Sequence, residues 1–329
     1  MGVILSPDTS EMAAATGVVV RVFARTDVGR TREHNEDAFL VADLRAEEAL
    51  RFDDGEAPAR PQEVLTGNPG MLFIVADGLG GAAAGEVASH MAVQTVFDTL
   101  RNRLAGPAAD PARFATALRD ATLAANEAIH LHAQRNRELH GMGTTITAAA
   151  LLGDTLFLAQ VGDSRAYIIR DGAAQQITKD QSLMQKLVEA GEITPEQAEL
   201  SARRNIILQA LGPETSVKID LTHQLLRRGD LLVLCSDGLF GQVRAEELAQ
   251  IAATAPDLDA LCRDLIDRAN DRGGPDNITV VAARFDGAAL TPPSTGDAVG
   301  HQAFLLAGQT EERRTPSESV PVTATLPPR

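Results

Sequence analysis

The chain has no tryptophan and a single tyrosine, and aromatics make up only 3% of its 329 residues. So few rings leave no stacking platform for single-stranded nucleic acid. Positive charge is also short, with 30 Lys and Arg against 45 Asp and Glu and a formal net charge of −15. That balance argues against a nucleic-acid backbone or an anionic membrane as partner. The two cysteines, Cys235 and Cys262, form no metal-ligand pair, and Cys235 ends an apolar run where it packs as a small hydrophobe. No apolar run approaches the ~20 residues that span a bilayer. The first residues lack the basic and long apolar regions of a signal peptide, so a cytoplasmic, reducing setting is expected. There is no Gly-x-x-x-x-Gly-Lys-[Ser/Thr] loop, which disfavours a nucleotide-binding ATPase or kinase. No Cys or Ser sits in a triad-like arrangement, so no protein nucleophile is needed.

Aspartate, by contrast, recurs at telling positions. Asp37 closes Arg32-Glu33-His34-Asn35-Glu36-Asp37, Asp77 ends an apolar run before Gly78, and Asp163 follows Val161-Gly162. Asp237 follows Cys235-Ser236, and Asp276 follows Gly274-Pro275. Each stands beside a strand-like apolar run or in a tight turn. Carboxylates gathered at the ends of buried strands repel one another and desolvate badly unless cations offset them. An all-oxygen donor set favours hard divalent cations, Mg²⁺ or Mn²⁺, over zinc or copper. The natural chemistry of such a centre is phosphate-ester hydrolysis.

An apolar content of 44% supports a sizeable core. Residues 1–16 read as a flexible lead-in. Strands are expected at 18–24 and 37–42, and the polar, Pro- and Gly-containing stretch 43–69 reads as a loop insertion with a short helix near 46–50. Helices follow over 84–104 and from Asp110, an N-cap with Pro111 at the first helical position. Strand-like runs at 144–152, 155–161 and 166–170 are separated by Gly153-Asp154 and Asp171-Gly172 turns. Residues 180–212 interrupt the strands as a flap beside the site, with Thr194 and Gln197 set for a capping box. Strands return at 218–225, 231–236 and 278–285, with helices at 246–253 and 258–269. From 288 to 329 Thr, Ser, Pro and Gly dominate, and the segment reads as a disordered tail. The order of elements suggests an α+β fold of antiparallel sheets with helix pairs outside.

Seven motifs in one order carry a resemblance: Arg32-x-x-Asn35-Glu36-Asp37, Ala76-Asp77-Gly78-x-Gly80-Gly81, Gly85-Glu86-x-Ala88-Ser89, Gly143-Thr144-Thr145, Gly162-Asp163-Ser164-Arg165, Ser236-Asp237-Gly238 and Gly274-Pro275-Asp276-Asn277-Ile278-Thr279. Each alone is weak; together they resemble the metal-dependent protein phosphatases (protein phosphatase 2C), bacterial type. The resemblance implies a catalytic domain over 17–287, built as a central β-sandwich of two antiparallel sheets with helix pairs outside, four layers in all. It implies a serine/threonine phosphatase with two Mn²⁺ or Mg²⁺ ions and a third, weaker site. Asp77 would bridge both metals and the Gly78 carbonyl would bind one. Asp237 and Asp276 would hold the first, Glu36 would reach the second through water, and Asp37 would hold a metal-bound water. Asp163, with Asp237, would take the third ion, and Arg32 would grip the substrate phosphate in a fork. Partners would be phosphoserine or phosphothreonine proteins, among them a Hanks-type Ser/Thr kinase or a forkhead-associated-domain protein. The chain would act as a monomer.

The pattern departs in two places. Leu79 stands where eukaryotic relatives carry a His proposed as general acid, and Gln181 where relatives often carry His. A metal-bound water or His34 could serve as the acid, with the simpler reading that His34 points away. A pseudophosphatase that binds phosphoproteins without turnover is the alternative, although no ligand is missing. His130, His132 and His140 read as a solvated helix face, and Asp53-Asp54 as a polar loop. Arg203-Arg204-Asn205 either meet substrate or are plain surface. Gly143-Thr144-Thr145 read as structural.

Overall fold

Strand alternation decides what faces what. The computed structural model describes residues 17–45, 62–66, 70–105 and 110–306. In β1 (Val18–Asp27), Val18, Val20, Val22 and Ala24 point between two sheets, while Phe23 points outward to helices. β4 (Met71–Leu79) has no solvent face: Phe73 and Val75 enter the inter-sheet core, and Leu72, Ile74 and Ala76 lie under helices. A strand covered on both sides reads as a continuous apolar run rather than an alternating one.

The remaining strands are β2 (Asp37–Asp43), β3 (Gln62–Thr66), β5 (Gly143–Thr144), β6 (Ile146–Leu152), β7 (Thr155–Val161), β8 (Arg165–Arg170), β9 (Ala173–Gln176), β10 (Asp220–Leu225), β11 (Leu231–Cys235) and β12 (Ile278–Asp286). One sheet runs β3-β1-β12-β11-β8-β9 and the other β10-β7-β6-β4-β2, with β5 on β4. Every named pairing is antiparallel. Outside the second sheet lie α1 (Ala82–Leu104) and α2 (Pro111–Arg135); short α3 (Leu183–Glu189), α4 (Pro195–Glu199) and α5 (Asp237–Phe240) follow. Outside the first sheet lie α6 (Ala245–Thr254) and α7 (Leu258–Asp271). The result is the four-layer α-β-β-α sandwich expected from the motifs. Asp110 caps α2 by accepting from the Arg113 N–H at 2.9 Å, ahead of Pro111. Phe73, fully buried against Phe285, anchors the middle layer, and Phe73→Ala would cost about 3–5 kcal/mol.

Two stretches differ from their composition. Within 43–69, β3 pairs with β1, because Val64 can pack into the inter-sheet core. The chain after β12 is not a disordered tail as far as Leu306. It runs back along the edge strand β10, with backbone bonds His223 N–H to Gln302 O and Phe304 N–H to Leu221 O. Asp297 accepts a fork from Arg227 at 2.7 Å, and Phe304 packs on the Phe157 ring at 5.2 Å. An edge strand needs such cover, and scattered contacts of this kind leave no hydrophobic period to read. The lead-in 1–16, the helix near 46–50, Asp53-Asp54 and residues 307–329 lie outside the described residues. Among the described residues, no helix is long and apolar enough to cross a membrane.

Candidate metal centre

Strand ends at one edge of the sandwich bring the carboxylates together. Asp37 starts β2 and sits directly opposite Asp77 in the β2–β4 ladder. Like charges paired across a ladder destabilise it unless a cation intervenes. Asp237 follows the end of β11, Asp276 precedes β12, and Asp163 lies in the β7–β8 turn. A cleft of about 190 Å³ is lined by Glu36, Asp77, Asp163, Asp237, Asp276 and Arg32. Gly78 also lines it, and Asn205 and Ile207 reach it from the flap. Asp37 lies behind that wall, 4% exposed. His34 is exposed; its carbonyl accepts from Asn277, and its ring interacts electrostatically with Glu36.

Two glycines make the approach possible. A Cβ on Gly78 would collide with the carbonyls of Gly85 and Glu36, and one on Gly85 would collide with the Glu36 carboxylate. The Asp77 backbone is pinned on both sides. Its N–H donates to Thr145 Oγ1 at 3.0 Å, and its carbonyl accepts from Thr145 N–H at 2.8 Å and Thr144 Oγ1 at 2.9 Å. The small residues of Gly143-Thr144-Thr145 therefore hold a ligand's backbone in place.

Asp37 is held by a relay of hydroxyls. Asn35 Nδ2 donates to Thr26 Oγ1, which donates to Thr279 Oγ1, which donates to Asp37 Oδ2 at 2.6 Å. Ser236 Oγ donates to the same oxygen at 2.7 Å. Asn277 ties the Arg32–Asp37 loop to β12: its Oδ1 accepts from Glu36 N–H at 2.8 Å, and its Nδ2 donates to the Val28 and His34 carbonyls at 2.9 Å. Ser236, Thr279 and Thr26 carry no role in the sequence reading. Their positions next to Asp237, near Asp276 and at the end of β1 are the only signal that could have found them.

Electrostatics make the cluster costly without cations. Burial, and then the neighbouring Asp37 and Asp237, hold the Asp77 carboxyl well above its ordinary value. Burial first and Asp237 second push Asp163 up to about 7, and burial with Asp276 raises Asp237 to about 6. Asp37 rises to about 7 from burial, against the Thr279 and Ser236 hydrogen bonds that favour its charged form. Burial also raises Glu36. Among the described residues no three His, Cys, Asp or Glu side chains already converge on one ion position; Asp276 is instead ion-paired with Arg32 at 2.8 Å. Asp37 Oδ1 is buried without a hydrogen-bond partner. A buried, oxygen-only set with raised pKa values and an unpartnered carboxylate oxygen fits hard divalent cations. The other histidines do not belong to the centre. His130 is not on a solvated face: its Nδ1 donates to the Gly212 carbonyl at 2.8 Å, which pins the end of the flap.

Fold and cleft together define a hydrolase that handles phosphate through divalent cations. Comparison with known proteins narrows the class. The protein phosphatase 2C family model matches residues 63–278. The serine/threonine phosphatase stp of Listeria monocytogenes is 36% identical over 262 residues, covering 80% of this chain and 94% of that protein. The crystal structure of the catalytic domain of the serine threonine protein phosphatase PstP in complex with 2 manganese ions aligns with TM-score 0.65 and 36% identity, covering 82% of this chain and 99% of that one. The serine/threonine phosphatase Stp1 from Staphylococcus aureus aligns with TM-score 0.68 and 31% identity, over 86% of this chain and 100% of that one. The chain belongs to the protein phosphatase 2C family. It is a protein serine/threonine phosphatase that works through a two-metal Mn²⁺ or Mg²⁺ centre. The alternative of a catalytically silent regulator finds no support among these relatives.

Proposed function

We propose that the named side chains divide the work as follows. Asp77 and the Gly78 carbonyl would hold the two cations together with Asp237 and Asp276 at the first position, Glu36 would reach the second through water, and Asp163 with Asp237 would take a weaker third. The observation that carries this reading is the direct Asp37–Asp77 pairing beside a cleft walled by four further carboxylates. When bound, the cations supply a water of lowered pKa and neutralise charge on the phosphoryl oxygens. The chain's own residues do the rest. Asp37, fixed by Ser236 and Thr279, presents its free Oδ1 to orient water for in-line attack. Arg32, half-exposed at the rim and paired here with Asp276, would be free to hold the substrate phosphate if Asp276 served a cation instead. A guanidinium fork matches two phosphoryl oxygens, which an ammonium does not. Leu79 lines the cleft without a proton to give, and His34 is exposed and not part of the cleft wall, so we assign the acid for the leaving alkoxide to water.

Residues 17–287 form the catalytic unit, with 180–212 as its flap. The substrates are phosphoserine and phosphothreonine proteins, with a Ser/Thr kinase or a forkhead-associated-domain protein as candidate targets, met by a cytoplasmic monomer. Calorimetric Mn²⁺ titration tests the ligand roles. Asp237→Asn and Asp276→Asn should lose the tight sites, and Asp163→Asn only the weak one. Unchanged isotherms in the first two would reject the assignment.

A further inference from the structure

One partly buried guanidinium touches both halves of the site without lining the cleft. Arg165 starts β8 and sits opposite Cys235, the last residue of β11 before Ser236 and Asp237. Its Nε and Nη2 form a fork on Asp180, with Nη2 to Oδ2 at 2.7 Å. Gln176 Nε2 braces the same carboxylate at 2.8 Å. On its other side the guanidinium stacks 3.8 Å from the centre of the Phe240 ring, and Nη1 donates to Tyr167 Oη.

Each contact leads somewhere. Asp180 opens the flap, and the next residue, Gln181, fastens it. Gln181 N–H donates to the Gly162 carbonyl and its Oε1 accepts from Gly162 N–H, both at 2.9 Å, while its carbonyl accepts from Leu208 N–H at 2.8 Å. Both flap ends are thereby fixed at one point, and the flap carries Asn205 and Ile207 to the cleft. Phe240 closes the short turn α5 that begins with Asp237, where the Gly241 N–H returns to the Asp237 carbonyl at 2.8 Å. A shift of the Phe240 ring therefore shifts the Asp237 turn.

We propose that Arg165 is a positioning residue with two separable outputs: through Asp180 it sets the flap and so the binding of phosphopeptide, and through Phe240 it sets Asp237 and so the affinity for the first cation. A planar fork that stacks and binds a carboxylate at the same time cannot be replaced by a lysine ammonium. The proposal rests on the assignment of Asp237 as a ligand.

The test is a set of four variants of the full chain. Mn²⁺ affinity is read by calorimetry, and KM is read for a phosphothreonine peptide and for p-nitrophenyl phosphate, which is too small to need the flap. Asp180→Asn should raise the peptide KM by roughly tenfold, leaving p-nitrophenyl phosphate KM and Mn²⁺ affinity unchanged. Phe240→Leu should weaken Mn²⁺ binding by roughly tenfold with the peptide-to-p-nitrophenyl KM ratio unchanged. Arg165→Lys should do both. Asp237→Asn is the reference. If it leaves Mn²⁺ affinity intact, the ligand assignment fails; if it abolishes binding while Arg165→Lys and Phe240→Leu leave it intact, only the Arg165 inference fails. A drop in melting temperature with both readouts at wild-type values would show a merely structural residue and overturn the proposal, as would Asp180→Asn moving both readouts together. Should Arg165→Lys not fold, the Asp180 and Phe240 variants decide by themselves.

Discussion

Replacing a ligand should stabilise the metal-free protein, and Asp163 gives the cleanest case. Its carboxylate is 6% exposed, and burial with the nearby Asp237 moves it from 3.8 to about 7. A carboxyl whose folded value is raised contributes stability that is fully present below its unfolded value near pH 4. That contribution is lost as the pH rises through about 7. The shift of about three pKa units corresponds to about 4 kcal/mol at pH 8. Relaxation and water entry reduce this to about 2 kcal/mol, or roughly 4–8 °C of melting temperature. Asp163→Asn removes the charge without an obligatory change of shape. In EDTA its melting curve should match wild type at pH 4 and rise above it progressively to pH 8. Saturating Mn²⁺ should narrow or invert the gap, because both proteins gain the tight sites but only the wild type also gains the weak third one. A variant no more stable than wild type at pH 8 in EDTA would refute the picture of a strained, cation-dependent carboxylate cluster.

Further outcomes follow from individual contacts. Arg32→Ala should lower kcat/KM by roughly 10²–10³-fold while Mn²⁺ binds no more weakly, because it frees Asp276 from its 2.8 Å ion pair; weaker metal binding would contradict the exchange of partners. His34→Ala should keep most activity, and a loss beyond ~100-fold in turnover would make His34 the general acid after all. Phe304→Ala should lower the melting temperature by a few degrees without changing kcat/KM, since the half-buried ring packs on Phe157 and His223 away from the cleft. An unchanged melt would mean that the segment after β12 adds nothing to stability.

The legible parts of this molecule are those whose chemistry is local. Asp77 can be placed because an apolar run must end where a charge and a glycine follow, and Asp110-Pro111 because an N-cap and its proline are adjacent. The Thr194–Gln197 capping box is present as the spacing suggests. What escapes the sequence depends on register between distant strands. No local pattern says that Ser236 and Thr279 will both point at Asp37, 199 and 242 residues away. The strand β3 hides in a polar stretch because five residues with one inward valine carry almost no period. The strap over β10 hides because side-chain forks such as Arg227–Asp297 leave no compositional trace. His130 looks like a solvated helical residue because its partner is a backbone carbonyl 82 residues on.

The central claim is that Asp77 holds catalytic cations for phosphoester hydrolysis. The most direct measurement is turnover of p-nitrophenyl phosphate and of a phosphothreonine peptide with Mn²⁺, Mg²⁺ or EDTA, for wild type and Asp77→Asn. The expected result is metal-dependent hydrolysis of both substrates by the wild type, abolished by EDTA and by the substitution, with Asp77→Asn still folded. Turnover that survives EDTA, or that Asp77→Asn retains, would contradict the account.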